Sequence, residues 1–212
     1  MSPVIGIIDY GLGNISAFVN IYRDLGLSTR IVSDNSSFNK VTHLILPGVG
    51  SFDWAISCLD NTRILDNLNH YVLDIGVPIL GVCVGLQIMC TKSSEGSSSG
   101  LSWFNADVRS LCAISPESSA KLVLPHMGWN TVTTFQPIHP LFVGITDLNF
   151  YFLHSYYTNP FDSSLSIAHT SYGFDFCCAA PVDNFFGVQF HPEKSHESGV
   201  RLLKNFAHLN PC

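Results

Sequence analysis

Two short segments carry the residue types that nucleophilic chemistry needs. Cys83 sits in Gly81-Val82-Cys83-Val84-Gly85-Leu86-Gln87, directly behind the apolar run Val77-Pro78-Ile79-Leu80. A buried-strand pattern turns into a helical one at the cysteine, with a glycine two residues away on either side. That is the sequence form of a nucleophile elbow. Such a turn strains the backbone at the nucleophile and tolerates only small neighbours. It also aims backbone N–H groups at a thiolate and at a developing oxyanion. The second segment is His191-Pro192-Glu193, behind the strand-like Gly187-Val188-Gln189-Phe190. A thiol nucleophile needs an imidazole to take its proton and return one to a leaving amine. A carboxylate close by fixes the tautomer and offsets the charge. A surface His-Pro turn is the plain alternative. Of the other histidines, only His196 has a carboxylate so near, Glu197, and that pair stands in a polar stretch.

Pro47-Gly48-Val49-Gly50 is a third candidate: either an ordinary turn, or a loop whose Val49 N–H joins the Val84 N–H in an oxyanion hole opposite Cys83. Gly11-Leu12-Gly13 invites a dinucleotide reading, but Ser16 stands where the third glycine belongs and no acidic residue ends the second strand. A tight loop beside a site or a partner surface fits better. Leu124-Pro125-His126-Met127-Gly128-Trp129-Asn130 has exposed-loop chemistry with a large aromatic, which suits an interface anchor. The aromatics of Phe150 to Tyr157 read as packing.

Seven cysteines stand at positions 58, 83, 90, 112, 177, 178 and 212, with no Cys-x-x-Cys pair. The spacing gives no metal-ligand pattern, so no metal is expected, nor any organic cofactor. All but Cys83 read as free thiols of a reducing cytoplasm. With 212 residues, 46% of them hydrophobic, the chain can build one well-buried domain over 1–212. Charged residues are sparse at 12% and the net charge is −6, with no basic run, so nucleic acid is not an expected partner. The start of the chain reaches Asp9 without a basic region and does not read as a signal peptide. The apolar run from Val77 to Cys90 is too short to cross a bilayer. A soluble, cytoplasmic protein is the expectation.

The elements that must position these residues follow from hydrophobic period. Val4–Ile8, Ser28–Val32, His43–Leu46 and Val77–Val82 read as strands, the third ended by Pro47-Gly48. Asn14–Leu25 reads as a helix stopped by Gly26, and Phe52–Leu73 as helical with a break near Asn61. This alternation predicts an α/β fold: a doubly wound, mostly parallel sheet flanked by helices, with sites at the strand C-termini. Asn130–Phe135, Phe150–Leu153 and Phe185–Phe190 suggest an added antiparallel portion in the C-terminal half. Ser93–Gly100 reads as a long loop within one domain, and Gly199–His208 as an amphipathic helix.

Together these segments resemble the class I, triad-type glutamine amidotransferases. Within them they are most similar to the branch of glutaminase subunits that serve imidazole glycerol phosphate synthases. The Cys83 elbow and His191-Pro192-Glu193 carry the superfamily likeness. Asp9-Tyr10-Gly11 and Pro125-His126-Met127-Gly128-Trp129-Asn130 carry the likeness to the branch. The resemblance implies that Cys83 attacks the carboxamide of glutamine to give a glutamyl thioester and ammonia, with His191 as base and acid and Glu193 as its orienter. It further implies that Gly50, Gln87, Glu95, His154, Ser155 and Tyr156 surround the glutamine, Glu95 facing its ammonium group. Asn14, Trp129 and Lys194 match positions facing the partner, a separate barrel-shaped cyclase subunit in a heterodimer. That cyclase takes up the ammonia and makes imidazole glycerol phosphate and an aminoimidazole carboxamide ribotide in histidine biosynthesis.

Leu101-Ser102-Trp103-Phe104 departs from the family pattern, and Leu111 to Ala120 has no counterpart in it. Val82-Cys83-Val84 and Lys194-Ser195-His196 are also similar to a paralogous branch that supplies ammonia for surface-polysaccharide sugar amination. A cysteine peptidase or esterase would explain the elbow but not the Pro-Gly-Val-Gly loop. A catalytically silent binding subunit would not need Cys83, His191 and Glu193 together.

Overall fold

The computed structural model describes residues 2–114 and 122–209. Cys212 and most of the Leu111–Ala120 stretch, from 115 to 120, lie outside the described residues. The elements run β1 (Val4–Ile8), α1 (Ile15–Asp24), β2 (Ser28–Val32), β3 (His43–Gly48), α2 (Phe52–Asn61), α3 (Leu65–Asn69), β4 (Ile79–Cys83) and α4 (Val84–Met89). Then come β5 (Lys92–Ser93), β6 (Ala106–Ser110), β7 (His126–Thr134), β8 (Asn149–His154), β9 (Tyr156–Pro160), β10 (Ala168–Ser171), β11 (Asp175–Val182), β12 (Phe185–Val188) and α5 (His196–Phe206).

One nine-stranded sheet has the order β2-β1-β3-β4-β12-β11-β10-β7-β8, and a smaller one pairs β5-β6-β9. From β2 to β12 the neighbours are parallel. From β12 to β8 they are antiparallel. The expected α/β architecture with an added antiparallel portion is therefore a mixed sheet in two halves. β12 is the hinge between them, antiparallel to β11 but parallel to β4, so its reading as a simply antiparallel strand holds on one side only. The central strands β3 and β4 of the parallel half are buried from end to end, as strands covered by helices on both faces are, whereas the edge strand β2 is largely exposed.

Some element ends differ from the sequence expectation. β3 runs through Pro47 and Gly48 instead of stopping before them. Its pairing with β1 ends at Ile45, whereas its pairing with β4 continues to Gly48 opposite Cys83. The missing N–H of Pro47 thus falls where one side of the strand has lost its neighbour. β7 starts at His126, so the segment around Trp129 is strand and not loop, and His126 is buried within it. α5 starts at His196, three residues before the expected Gly199. The Ser93–Gly100 loop is pinned to the start of α2: Asp53 accepts the N–H groups of Ser97 and Ser98, each at 3.0 Å.

The elbow is seated backbone to backbone on the end of β3. A Cβ on Gly85 would overlap the Leu46 carbonyl, and one on Gly48 would overlap the Gly85 amide. Neither neighbour is a flexible side chain that could yield. Gly85→Ala is therefore expected to destabilise the fold by about 2–3 kcal/mol or more, as overpacking against fixed atoms does. Urea unfolding followed by circular dichroism checks this; an unchanged midpoint would refute the close seating of α4 on β3.

Candidate active site

Cys83 ends β4 and caps α4 with φ 56° and ψ −113°, a strained conformation for a non-glycine residue. Its side chain is buried. The thiol donates to the Leu153 carbonyl of β8 at 3.7 Å, and the Gln189 amide donates to the sulfur at 3.7 Å. Gln189 is itself set by Gln87, whose Nε2 donates to Gln189 Oε1 at 3.1 Å and to the Tyr156 carbonyl at 2.8 Å. Both amide side chains are buried.

His191 leaves the end of β12, and its backbone N–H donates to the Tyr151 carbonyl at 2.8 Å. The tight turn Pro192–Lys194 folds the chain back. Glu193 Oε1 thereby lies 2.8 Å from His191 Nδ1, with the two side chains only 2% and 3% exposed. The two-residue spacing brings them together through this turn. Ser195 locks the turn: its hydroxyl donates to the His191 carbonyl at 2.6 Å and accepts from the Tyr151 N–H at 3.0 Å. Burial by itself would lower the His191 pKa. Its interactions with Cys83 and with Glu193 outweigh that and raise it to about 10.

A cavity of about 240 Å³ opens over Cys83 and His191. Gly50, Gln87, Glu95, His154, Ser155 and Tyr156 all line it, as do Val49 and Val84. Glu95 is held by the Phe52 N–H, which donates to its Oε2 at 2.8 Å. Pro125 and Leu153 complete the wall. Glu193 stands behind His191, outside the lining. A larger groove of about 620 Å³ runs between Trp129 and Arg201 and has no cysteine in its lining. Among the described residues, no three His, Cys, Asp or Glu side chains are grouped as a metal ion would need.

Trp129 and Lys194 meet on one ring. Trp129 packs edge-on to Tyr151 at 6.1 Å and stacks on His196 at 4.9 Å, while Lys194 Nζ sits 5.5 Å from the Tyr151 centroid. Both Trp129 and Lys194 are exposed. Asn14 is exposed at the start of α1, accepting from the Ala17 N–H at 3.3 Å. α1 packs against the Pro192–Lys194 turn, and Trp129 and Lys194 lie around that turn and the adjoining strands.

Sequence reasoning missed Gln189, Ser195 and His126. Gln189 did carry a signal, being the one polar side chain in the apolar run from Phe185 to Phe190. The other two acquire their partners from strands remote in sequence. Tyr10 was also passed over; its buried hydroxyl donates to the Pro47 carbonyl at 2.7 Å and ties the first loop to the Pro47–Gly50 segment.

A family model described as "Glutamine amidotransferase class-I" matches residues 6–209. "Imidazole glycerol phosphate synthase subunit HisH" of Leptospira interrogans is 44% identical over 206 residues, spanning 97% of this chain and 100% of that protein. The protein of the same description from Bdellovibrio bacteriovorus is 42% identical over 209 residues, with 97% and 100% covered. Among solved structures, one titled "Crystal structure of glutamine amidotransferase" superposes with a TM-score of 0.73 at 14% identity, covering 97% of this chain and 99% of that one. "Structure of PurLQS from Thermotoga maritima" gives 0.71 at 15%, covering 97% and 98%. At those identities the structures speak to the fold alone. The elbow cysteine, the buried His-Glu pair behind β12 and the match over nearly the whole length agree: this chain belongs to the class-I glutamine amidotransferase family.

Proposed function

We propose that this chain is the glutaminase subunit of an imidazole glycerol phosphate synthase, hydrolysing glutamine and passing the ammonia to a cyclase subunit in histidine biosynthesis. The observation that carries the chemistry is the buried Cys83–His191–Glu193 array facing a cavity of about 240 Å³, a size suited to one amino acid. The relatives named as HisH, 37–44% identical over nearly their full length, favour the histidine destination over surface-sugar amination.

In this reading His191 draws the proton from Cys83, and the pair reacts as thiolate and imidazolium. The thiolate attacks the carboxamide carbon, and the N–H groups of Val49 and Val84 receive the negative charge on oxygen. His191 gives its proton to the departing nitrogen, the C–N bond breaks, and ammonia leaves a glutamyl thioester. His191, now neutral, takes a proton from water as that water attacks the thioester; the C–S bond breaks and glutamate is released. Glu193 keeps the imidazole in one tautomer and offsets its charge. Glu95 suits the ammonium group of the substrate, while Gln87, Gly50, His154, Ser155 and Tyr156 shape the rest of the cavity. Asn14, Trp129 and Lys194 form the surface offered to the cyclase, which sits close behind the triad because Lys194 directly follows Glu193. The buried free thiols Cys90, Cys177 and Cys178 fit a reducing cytoplasm. No helix of the described residues is long and apolar enough to cross a membrane.

The deciding experiment measures glutamate release from glutamine by the chain alone and with a histidine-pathway cyclase carrying its nucleotide ligand. Ligand-dependent stimulation that vanishes in Cys83→Ala is expected, with the variant still forming the complex. Activity that survives Cys83→Ala would sink the mechanism, and stimulation by no such cyclase would sink the pathway. A second expectation concerns pH. Acylation needs the His191 proton, so kcat/KM for glutamine should hold through neutral pH and fall as pH rises through about 10. A fall centred near neutrality would show that His191 works without its ion pair.

A further inference from the structure

A pair of histidines lies beside the triad, and its hydrogen bonds allow only one arrangement of protons. His126 and His154 face each other across β7 and β8. Asn130 sets the direction of the network. Its Oδ1 accepts the Thr131 N–H at 2.8 Å, and its Nδ2 donates to the Ser171 carbonyl at 2.8 Å, so the orientation of the amide is fixed at both ends. Nδ2 therefore also donates to His126 Nε2, 3.2 Å away, and that nitrogen carries no proton. The His126 proton must then sit on Nδ1, which lies 3.0 Å from His154 Nε2. His154 Nε2 accepts, so its own proton is on Nδ1, where it meets the Tyr156 carbonyl at 2.8 Å. That carbonyl also accepts from Gln87, the residue that sets Gln189 against Cys83. Each assignment forces the next.

We propose that Asn130 and His126 are positioning residues that hold His154 as a neutral imidazole, so that His191 is the one imidazole of the cavity free to exchange protons with Cys83 and the substrate. This deepens the glutaminase reading and rests on it. A proton added to His154 Nε2 would meet the His126 N–H head-on, and a proton on His126 Nε2 would meet the Asn130 amide. The His126 ring cannot turn away, because it is stacked between Phe152 at 4.7 Å and Tyr172 at 4.1 Å. Burial acts in the same sense, lowering His126 to about 4 and His154 to about 3. The titratable groups facing His154 are His126 from β7, His191 after β12, Cys83 on the elbow, and Glu95 and Tyr156 across the cavity. A cation at His154 would oppose the His191 imidazolium and compete for the thiolate. The lock prevents both.

Two measurements test this. In the full-length chain labelled with ¹⁵N-histidine, His126 and His154 should both appear as neutral Nδ1–H tautomers from about pH 5 to pH 8. Either ring as the Nε2–H form, or titrating in that range, overturns the proposal. Asn130→Asp places an acceptor where a donor stood and should draw one proton into the histidine pair, whereas Asn130→Ala only removes a bond. With the cyclase present, kcat/KM for glutamine in Asn130→Asp should drop about tenfold further at about pH 6 than at about pH 8.5, one unit of added ionisation. Asn130→Ala should lose the same fraction at both. Matching pH profiles for the two variants overturn the lock while leaving the wild-type glutaminase reading standing; an inactive wild type would instead remove that reading.

Discussion

The backbone conformation of Cys83 is the constraint on which the rest of the molecule depends. A positive φ at a side-chain-bearing residue costs of the order of 1–3 kcal/mol and persists only where the surroundings leave no alternative. Here they leave none. Gly85 and Gly48 let α4 and β3 touch through their backbones, so the turn cannot relax outward without breaking that contact. The strain lifts the thiol off the strand toward His191 and places the first amide of α4 beside it. The parallel half of the sheet is the frame that enforces this, with β3 and β12 gripping β4 on either side.

The antiparallel half does different work. It does not carry Cys83, yet it supplies the wall against which that side chain is aligned. β8 gives the Leu153 carbonyl to the thiol and the Tyr151 backbone to the His191 turn. β7 gives His126 to His154. Function arises at the junction of the halves because β12 belongs to both and delivers Gln189 and His191 from its end. Two of the proposed cyclase-facing residues, Trp129 on β7 and Lys194 in the turn after His191, lie on these same elements, which couples that surface to the proposed triad through a few covalent and hydrogen bonds.

Charge in the site is partitioned by environment. Two imidazoles border one cavity, both buried, and desolvation disfavours a proton on each. His191 overcomes this because Glu193 and Cys83 supply compensating charge. Among the described residues, His154 hydrogen-bonds only to the His126 ring and the Tyr156 carbonyl, and burial lowers its pKa to about 3. The difference lies in partners rather than in depth, and in the proposed mechanism it leaves acid-base duty to one ring without moving the other out of the site.

What the sequence by itself determined was local. The periods of β1, β2, β4 and α1, the glycine-framed elbow, and the His-Pro-Glu turn are all set by residues within a few positions of one another, so their physics is readable along the chain. Ends of elements were less legible where a neighbour decided them: β3 continues through Pro47 because its pairing with β4 persists after β1 has dropped out, and β7 begins at His126 because that residue pairs with His154 of β8. Only the tertiary structure decided the rest of the site. Gln189 against Cys83, Ser195 across to Tyr151, and His126 against His154 each join residues 28 or more positions apart, on elements whose adjacency follows from sheet order. A tautomer is the plainest example: the proton on His154 is fixed by an amide two partners away, and no pattern in the sequence records which way that amide points.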